Sequence, residues 1–242
     1  MGRHARLIVT GVALHVRHRG NNGQDTFRQD NDRLVYLSML RECLRHRRCA
    51  LHAYCLMTNH VHLLLTPADE EGCALLMRDL GRGYAAYFNR RHGMWGALWE
   101  RPFRSCLVES AEYVIACHRY IERNPVRAQM VPSPHAHPWS SFAGNAGLRG
   151  DELLTAHPEY LALGFEGRTR SRAYAELVTD ADDPRFLGSL REATDCGFAL
   201  VGERLKAQLE HAGERLERAK RGPRANASGS GDEAAQLAFL TE

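Results

Sequence analysis

The amino-acid sequence predicts an α+β fold, in which a ferredoxin-like antiparallel sheet carries helices on one face. Strand-length apolar runs alternate with segments of helical periodicity in the order β-α-β-β-α-β-α over residues 1–142. Two of the strand-like runs follow each other across two residues, which is typical of an antiparallel hairpin. This order fits a sheet whose helices are segregated to one side.

The first four elements are indicated by local patterns. Residues 6–18 are rich in β-branched residues and predict a strand. Asp30 or Asp32 can cap a following helix, in which leucines recur every three or four residues. The runs LHAYCLM and HVHLLLTP then predict two strands joined by a turn at Thr58-Asn59.

The next three elements complete the predicted domain. A second helix is expected where acidic residues 69–71 precede an apolar stripe that ends in Arg90 and Arg91. The run FRSCLVES predicts the fourth strand. The run AEYVIACHRYIERNPVRAQMV predicts a third helix that is interrupted at Pro125, because proline cannot donate a backbone hydrogen bond.

Beyond these elements the sequence predicts a simpler organisation. Residues 143–221 are expected to form a helical C-terminal extension that begins with a glycine-containing linker. The low-complexity run that follows predicts a disordered tail over residues 222–242.

Composition restricts the class of protein. With 44% hydrophobic and 25% charged residues, the chain is typical of a soluble globular protein. The seven cysteines show no C-x-x-C spacing, which favours reduced thiols over a disulfide framework or a zinc finger. No apolar stretch reaches the length of a bilayer span, and no signal-peptide cleavage pattern is visible. We therefore expect a cytoplasmic protein with no membrane partner.

Charge is distributed unevenly along the chain. Residues 1–142 carry 19 Lys and Arg against 12 Asp and Glu, an excess of seven basic residues. Residues 143–242 carry 13 against 17, an excess of four acidic residues. The N-terminal part therefore favours a polyanionic partner. Arginine greatly outnumbers lysine, which codon bias explains better than phosphate recognition does.

The run CLMTNHVHLLL contains the first candidate site residues. His60 and His62 are two positions apart, so in a strand both imidazoles project from one face. Such a pair can bind a metal, or it can be a pair of partly exposed polar side chains hydrogen-bonded to their neighbours. A divalent ion needs further ligands.

The third predicted helix offers the missing groups. Tyr120 and Asn124 are four residues apart in HRYIERNP, so they share a helical face. An asparagine amide oxygen suits Mg²⁺ or Mn²⁺, and a tyrosine hydroxyl nearby can attack an electrophile that the metal polarises. The alternatives are that Tyr120 packs at the edge of the core and that Asn124 caps a helix restarting at Pro125.

Five segments occur in an order that resembles one family: RGNNGQDTF, LHAYCLMTNHVHLLL, LWERPFRSCLVES, RYIERNPVRAQMV and PWSSF. They resemble the single-tyrosine HUH transposases, specifically the REP-associated tyrosine transposases of bacteria. The resemblance implies an HUH endonuclease fold for residues 1–142. It makes His60 and His62 metal ligands, Tyr120 the nucleophile and Asn124 a further metal ligand.

The resemblance also implies an activity and a partner. The expected reaction is metal-dependent cleavage and strand transfer of single-stranded DNA through a 5′-phosphotyrosine, with Mg²⁺ or Mn²⁺ as cofactor. Hairpin-forming repeats are the expected substrate, and the protein is expected to be a nucleoid-associated monomer or homodimer. A non-cleaving regulator that binds hairpin repeats on the same fold is the alternative. The presence of all four site residues argues against it.

Two positions depart from the family pattern. Thr58 stands where the family usually has proline, and Pro102 stands where it often has arginine. Arg101 or Arg104 can replace that arginine as a phosphate contact.

Basic and aromatic residues predict the DNA contacts, with a solvated surface or core packing as the alternative. Trp95, Trp99 and Tyr84 are candidates for base stacking. The candidate phosphate-binding residues are Arg17, Arg19, Arg45, Arg47, Arg48, Arg82, Arg90 and Arg91.

Overall fold

The computed structural model describes residues 7–100, 102–180, 183–213 and Leu216. Within them the elements are β1 (Ala13–Arg19), α1 (Asp30–Arg47), β2 (Cys49–Leu56), β3 (His60–Pro67), α2 (Gly72–His92), β4 (Arg104–Val108), α3 (Ala111–Glu122), α4 (Asn124–Arg127), α5 (Phe142–Asn145), α6 (Pro158–Leu161), α7 (Gly167–Thr179), α8 (Pro184–Cys196), β5 (Ala199–Leu200) and α9 (Glu203–His211). The predicted order up to the third helix is confirmed. The predicted disordered tail lies outside the described residues.

The sheet has the strand order β2-β3-β1-β4-β5. The first four strands pair antiparallel, and the two-residue β5 adds a parallel edge beside β4. The predicted two-residue turn is present, because the backbone N–H of Met57 donates to the carbonyl of His60 at 2.9 Å. The α+β class and the ferredoxin-like antiparallel sheet are therefore confirmed.

The helices lie on both faces of the sheet, so their predicted placement on one face is wrong. Leu63 and Leu64 are adjacent in β3 and both are fully buried, although their side chains point to opposite faces. A strand with buried residues on both faces needs cover on both. One face packs against α1 and α2, and the other packs against α3 and α8.

Helix α1 begins as predicted and buries Leu40 and Leu44 of the leucine stripe, but the stripe does not start at Leu34. Asp32 accepts hydrogen bonds from the backbone N–H groups of Arg28 and Gln29, at 2.9 and 3.0 Å, and so forms a capping box. Leu34 is 55% exposed, whereas Tyr36 is buried against the aromatic rings of the core. The leucine spacing alone therefore misplaced the edge of the buried stripe.

The third helix is interrupted where the sequence predicts it. Helix α3 ends at Glu122, and α4 begins at Asn124 with Pro125 as its second residue. Arg123 keeps helical backbone angles, φ −86° and ψ −2°. Tyr120 and Asn124 therefore remain about one turn apart.

The described part of the extension is mainly helical and packs on the domain. Tyr174 and Val178 of α7 are buried, and Leu190 of α8 is buried beside the sheet. The boundary at residue 142 stays a prediction. None of the helices in the described residues has both the length and the apolar character needed to cross a bilayer.

Candidate active site

The predicted histidine pair lies on the sheet face that α3 and α8 cover. In the register of β1 and β3, His62 stands opposite Arg17 and His60 opposite Arg19. Residues directly opposite in an antiparallel pair point to the same face. His15, which precedes Arg17 by two residues, shares this face. One polar surface is thus formed by His15, Arg17 and Arg19 of β1 with His60 and His62 of β3.

Tyr120 packs directly against these imidazoles. Its ring centroid lies 5.5 Å from that of His62 and 5.5 Å from that of His15, with the rings nearly perpendicular. Tyr120 is 5% exposed, so it also belongs to the buried cluster beneath α3. The fold therefore brings the predicted nucleophile to the predicted ligand His62.

His60 presents one free ring nitrogen. The Asn59 amide donates from Nδ2 to the carbonyl of Gly23 at 3.1 Å, which leaves Asn59 Oδ1 as an acceptor. His60 Nδ1 donates to that oxygen at 2.7 Å, so Nε2 carries the lone pair. Burial, with Arg17 and Arg19 nearby, lowers the pKa of His60 to about 4. The imidazole is therefore neutral at pH 7, the form that binds metals.

His62 is held from its Nδ1 side. Its Nδ1 lies 2.8 Å from Nε2 of His15. Burial lowers the pKa of His62 well below its ordinary value and that of His15 to about 3. The His60 and His62 ring centroids are 5.0 Å apart at 82°. A second ring nitrogen that is fixed by a hydrogen bond is typical of metal-ligating histidines.

Asn124 stands near Tyr120 with no capping role. It is half-buried at the first position of α4, where the N-cap residue is Arg123. Among the described residues, no three His, Cys, Asp or Glu side chains converge as a metal site. A divalent ion on this face would thus need an oxygen donor beside the two imidazoles, and the Asn124 amide is of that kind. Two imidazole nitrogens and an amide oxygen are donors that a divalent metal ion can accept.

Two of the eight predicted phosphate-binding arginines lie on the histidine face. Arg17 forms an ion pair with Asp195 of α8, and Arg19 follows it on the same face. Arg104 in β4 stands opposite Arg17 and donates to the Asp195 carbonyl at 3.0 Å. Arg101, the other expected substitute for the family arginine, lies outside the described residues.

The structure does not bring the other six arginines to this face. Arg45, Arg47 and Arg48 surround the end of α1, next to Cys49, which pairs with Pro67. Pro67 ends β3 whereas His60 begins it, a separation of about 23 Å along the strand. Arg82, Arg90 and Arg91 belong to α2, which covers the opposite face.

Of the three residues predicted to stack on DNA bases, two are buried and one is exposed. Tyr84 and Trp99 are core residues, at 0% and 5% exposure, which confirms the packing alternative for both. Trp95 is 90% exposed in the segment that follows Arg90 and Arg91. It remains available for a partner.

Sequence reasoning missed three residues of the site. Arg127 places its guanidinium 4.4 Å from the Tyr120 ring centroid and donates to the Tyr120 carbonyl. His15 and Thr194 also contact each other at the site. Arg127 follows Tyr120 by two helical turns, and His15 alternates with Arg17, so both could have been found from periodicity. Thr194 has no such signal.

The fold is similar to one that has been solved before. The structure is similar to that of a REP-associated tyrosine transposase bound to a REP hairpin, with a TM-score of 0.50 and 15% identity over 66% of this chain and 93% of that one. A candidate transposase from Deinococcus radiodurans is less similar, with a TM-score of 0.35 and 20% identity over 53% of this chain and 92% of that one. No curated protein matches the sequence.

A family model matches the N-terminal part of the sequence. Residues 8–124 match the family described as Transposase IS200 like. The match covers 117 of the 242 residues, so the chain is similar to the IS200-like transposases over this segment. The matched segment contains the sheet as far as β4, the histidine pair, Tyr120 and Asn124.

Proposed function

We propose that this protein is a transposase that cleaves and rejoins single-stranded DNA, with Tyr120 as the nucleophile and a divalent metal held by His60, His62 and Asn124. The observation that carries the proposal is the placement of Tyr120 against His62, with ring centroids 5.5 Å apart. Two further features support it: His60 has a free Nε2, and Arg127 lies over the Tyr120 ring.

The proposed reaction exchanges one phosphodiester for another. The Tyr120 oxygen attacks the scissile phosphorus, its phenol proton is released, and the bond from phosphorus to the 3′-oxygen breaks. The departing 3′-oxygen takes up a proton, and the 5′-phosphate stays on Tyr120. A different 3′-hydroxyl reverses the step and joins two strands without a nucleoside triphosphate. A bound divalent ion supplies stabilisation of the charge that develops on the phosphate oxygens.

The proposed substrate is single-stranded DNA with hairpin-forming repeats. The structural neighbour of this fold was determined with a REP hairpin. In this chain Arg17 and Arg19 flank the histidines, so a phosphate at the site meets positive charge. The excess of basic residues in residues 1–142 supports a polyanionic partner over that part of the chain.

The test is covalent capture of the DNA. The full chain is incubated with Mn²⁺ or Mg²⁺ and a labelled single-stranded oligonucleotide that contains a palindrome from the flanks of the gene. We expect a covalent adduct on denaturing gels and its complete loss in Tyr120→Phe. Tyr113→Phe is the matched control, because this half-buried tyrosine lies on the same helix and contacts Phe186 rather than the histidines.

The outcomes separate the two candidate functions. Binding of the hairpin without any adduct in the wild type would favour the non-cleaving regulator. An adduct that survives Tyr120→Phe would assign the nucleophile to another residue.

A further inference from the structure

Helix α8 reaches the histidine face from outside the family-matched segment. Residues 8–124 make up that segment, and α8 lies sixty residues beyond its end, at Pro184–Cys196. Thr194 is 1% exposed and touches His15, and Asp195 pairs with Arg17. The C-terminal extension therefore contributes contacts to the candidate site.

The Leu190 carbonyl sets the direction of a hydrogen-bond chain through Thr194, whose oxygen also lies 3.3 Å from Cys106 Sγ. The Thr194 hydroxyl donates to the carbonyl of Leu190 at 2.7 Å, and a carbonyl can only accept. The Thr194 oxygen is then left as the acceptor for His15 Nδ1, which lies 2.8 Å away. His15 therefore carries its proton on Nδ1 and a lone pair on Nε2.

The chain continues to the proposed ligand. His15 Nε2 faces His62 Nδ1 at 2.8 Å, so His62 donates from Nδ1. The two rings are nearly parallel, with an angle of 3° between their planes and centroids 5.0 Å apart. The remaining nitrogen of His62, Nε2, then carries the lone pair. His60 has the same tautomer, because its Nδ1–H donates a hydrogen bond to Asn59 Oδ1.

We propose that Thr194 and His15 are positioning residues that hold His62 with Nε2 as its free nitrogen, and that α8 is thereby a functional part of the metal site. The metal in this inference rests on the proposed function; the direction of the hydrogen-bond chain does not. Partners of this kind set the orientation and proton position of a ligating histidine, and their loss costs roughly 10- to 100-fold in metal affinity.

The first test measures the proton position in the full chain without metal or DNA. Long-range ¹H–¹⁵N spectra of the imidazoles report which ring nitrogen carries hydrogen. We expect His62 to be protonated at Nδ1 in the wild type and to become a mixture of both tautomers in Thr194→Val. A wild-type His62 protonated at Nε2 would overturn the inference, whatever the protein does to DNA.

The second test measures Mn²⁺ affinity by calorimetry, again on the full chain. We expect about tenfold weaker binding in Thr194→Val and recovery in Thr194→Ser, which restores the hydroxyl. Thr179→Val is the matched control, because Thr179 donates to the carbonyl four residues earlier in α7, at 3.1 Å, and is exposed. Recovery by serine separates a positioning role from a general loss of packing.

The outcomes distinguish this inference from the proposed function. Unchanged Mn²⁺ affinity in Thr194→Val, in a protein that forms the DNA adduct, would overturn the positioning role alone. Equal weakening by Thr179→Val would do the same. A wild type that binds no Mn²⁺ would overturn the role of Thr194 in metal binding together with the proposed metal site.

Discussion

At the scale of single residues, Tyr120 is held from two sides. The imidazoles of His15 and His62 meet its ring edge-on, and the Arg127 guanidinium lies over the ring at 4.4 Å. Arg127 also donates to the Tyr120 carbonyl. That carbonyl lies in the last turn of α3, where the interruption at Pro125 leaves backbone acceptors to be satisfied. One arginine thus orients the proposed nucleophile and brings positive charge to it.

Replacing Arg127 should lower the rate of the proposed reaction more than it lowers the stability of the fold. We expect Arg127→Ala to lower the rate of adduct formation by about 10- to 100-fold, since a charge-assisted hydrogen bond contributes about 1.5–3 kcal/mol. The measurement is the adduct formed over time at saturating oligonucleotide. Arg172→Ala is the control, because Arg172 is an exposed residue that pairs with Glu176 within α7. A rate for Arg127→Ala equal to that of the control would remove Arg127 from the site.

At the scale of elements, the start of α1 depends on one buried carboxylate. Asp32 is fully buried and accepts from two backbone N–H groups, from Tyr87 and from His92. The last two belong to α2, so the same side chain caps one helix and ties it to its neighbour. An unsatisfied buried donor costs about 1–3 kcal/mol, so this carboxylate stabilises the packing of α1 against α2.

Removing the cap should destabilise the protein without touching the histidine face. We expect Asp32→Ala to lower the free energy of unfolding by about 2–3 kcal/mol, measured by denaturant titration. Asp30→Ala should change it by less than about 0.5 kcal/mol, because the Asp30 side chain is 76% exposed and its ion pair within the described residues is with Arg33. Equal effects of the two substitutions would contradict the capping role.

At the scale of the whole molecule, a buried carboxyl joins α3 to residues that follow the family-matched segment. Glu122 ends α3, is fully buried, and accepts from Ser141 at 2.6 Å and from Asn145 at 2.9 Å. Tyr174 of α7 donates to its other oxygen at 2.7 Å. The helix that carries Tyr120 is therefore fastened to residues on both sides of the predicted boundary at 142.

This connection predicts a pH-dependent stability. Burial raises the pKa of Glu122 from 4.5 to about 7, so the folded protein keeps a proton that the unfolded chain releases at lower pH. The resulting stabilisation is complete below about pH 4.5 and is lost as pH rises through 7. The loss amounts to about 3 kcal/mol.

Denaturant unfolding at pH 5 and pH 8 measures this contribution. In Glu122→Gln, whose side chain does not titrate, the difference in unfolding free energy between the two pH values should become smaller by about 3 kcal/mol. Glu112→Gln, at an exposed position of the same helix, should behave as the wild type does. Identical pH dependence in wild type and Glu122→Gln would show that Glu122 is not proton-linked to folding.

Local pattern was sufficient for much of this protein. Strand and helix periods, the hairpin turn and the proline interruption depend on residues close in sequence, so the order of elements and the antiparallel sheet could be predicted. The family segments also placed His60, His62, Tyr120 and Asn124 as one candidate set, and the fold brings Tyr120 against His62.

Long-range packing determined the rest. The sequence of a helix does not say which face of the sheet it will cover. A strand such as β3 is buried on both faces, so either face could accept the helix. The arginines divide between distant surfaces because two of them lie in strand β1, whereas the other six belong to α1, its C-cap and α2, which lie elsewhere in the fold. Thr194 meets His15 across 179 positions of chain, a contact that no local period can encode. Such contacts exist only once the sheet is assembled and α8 has packed on it.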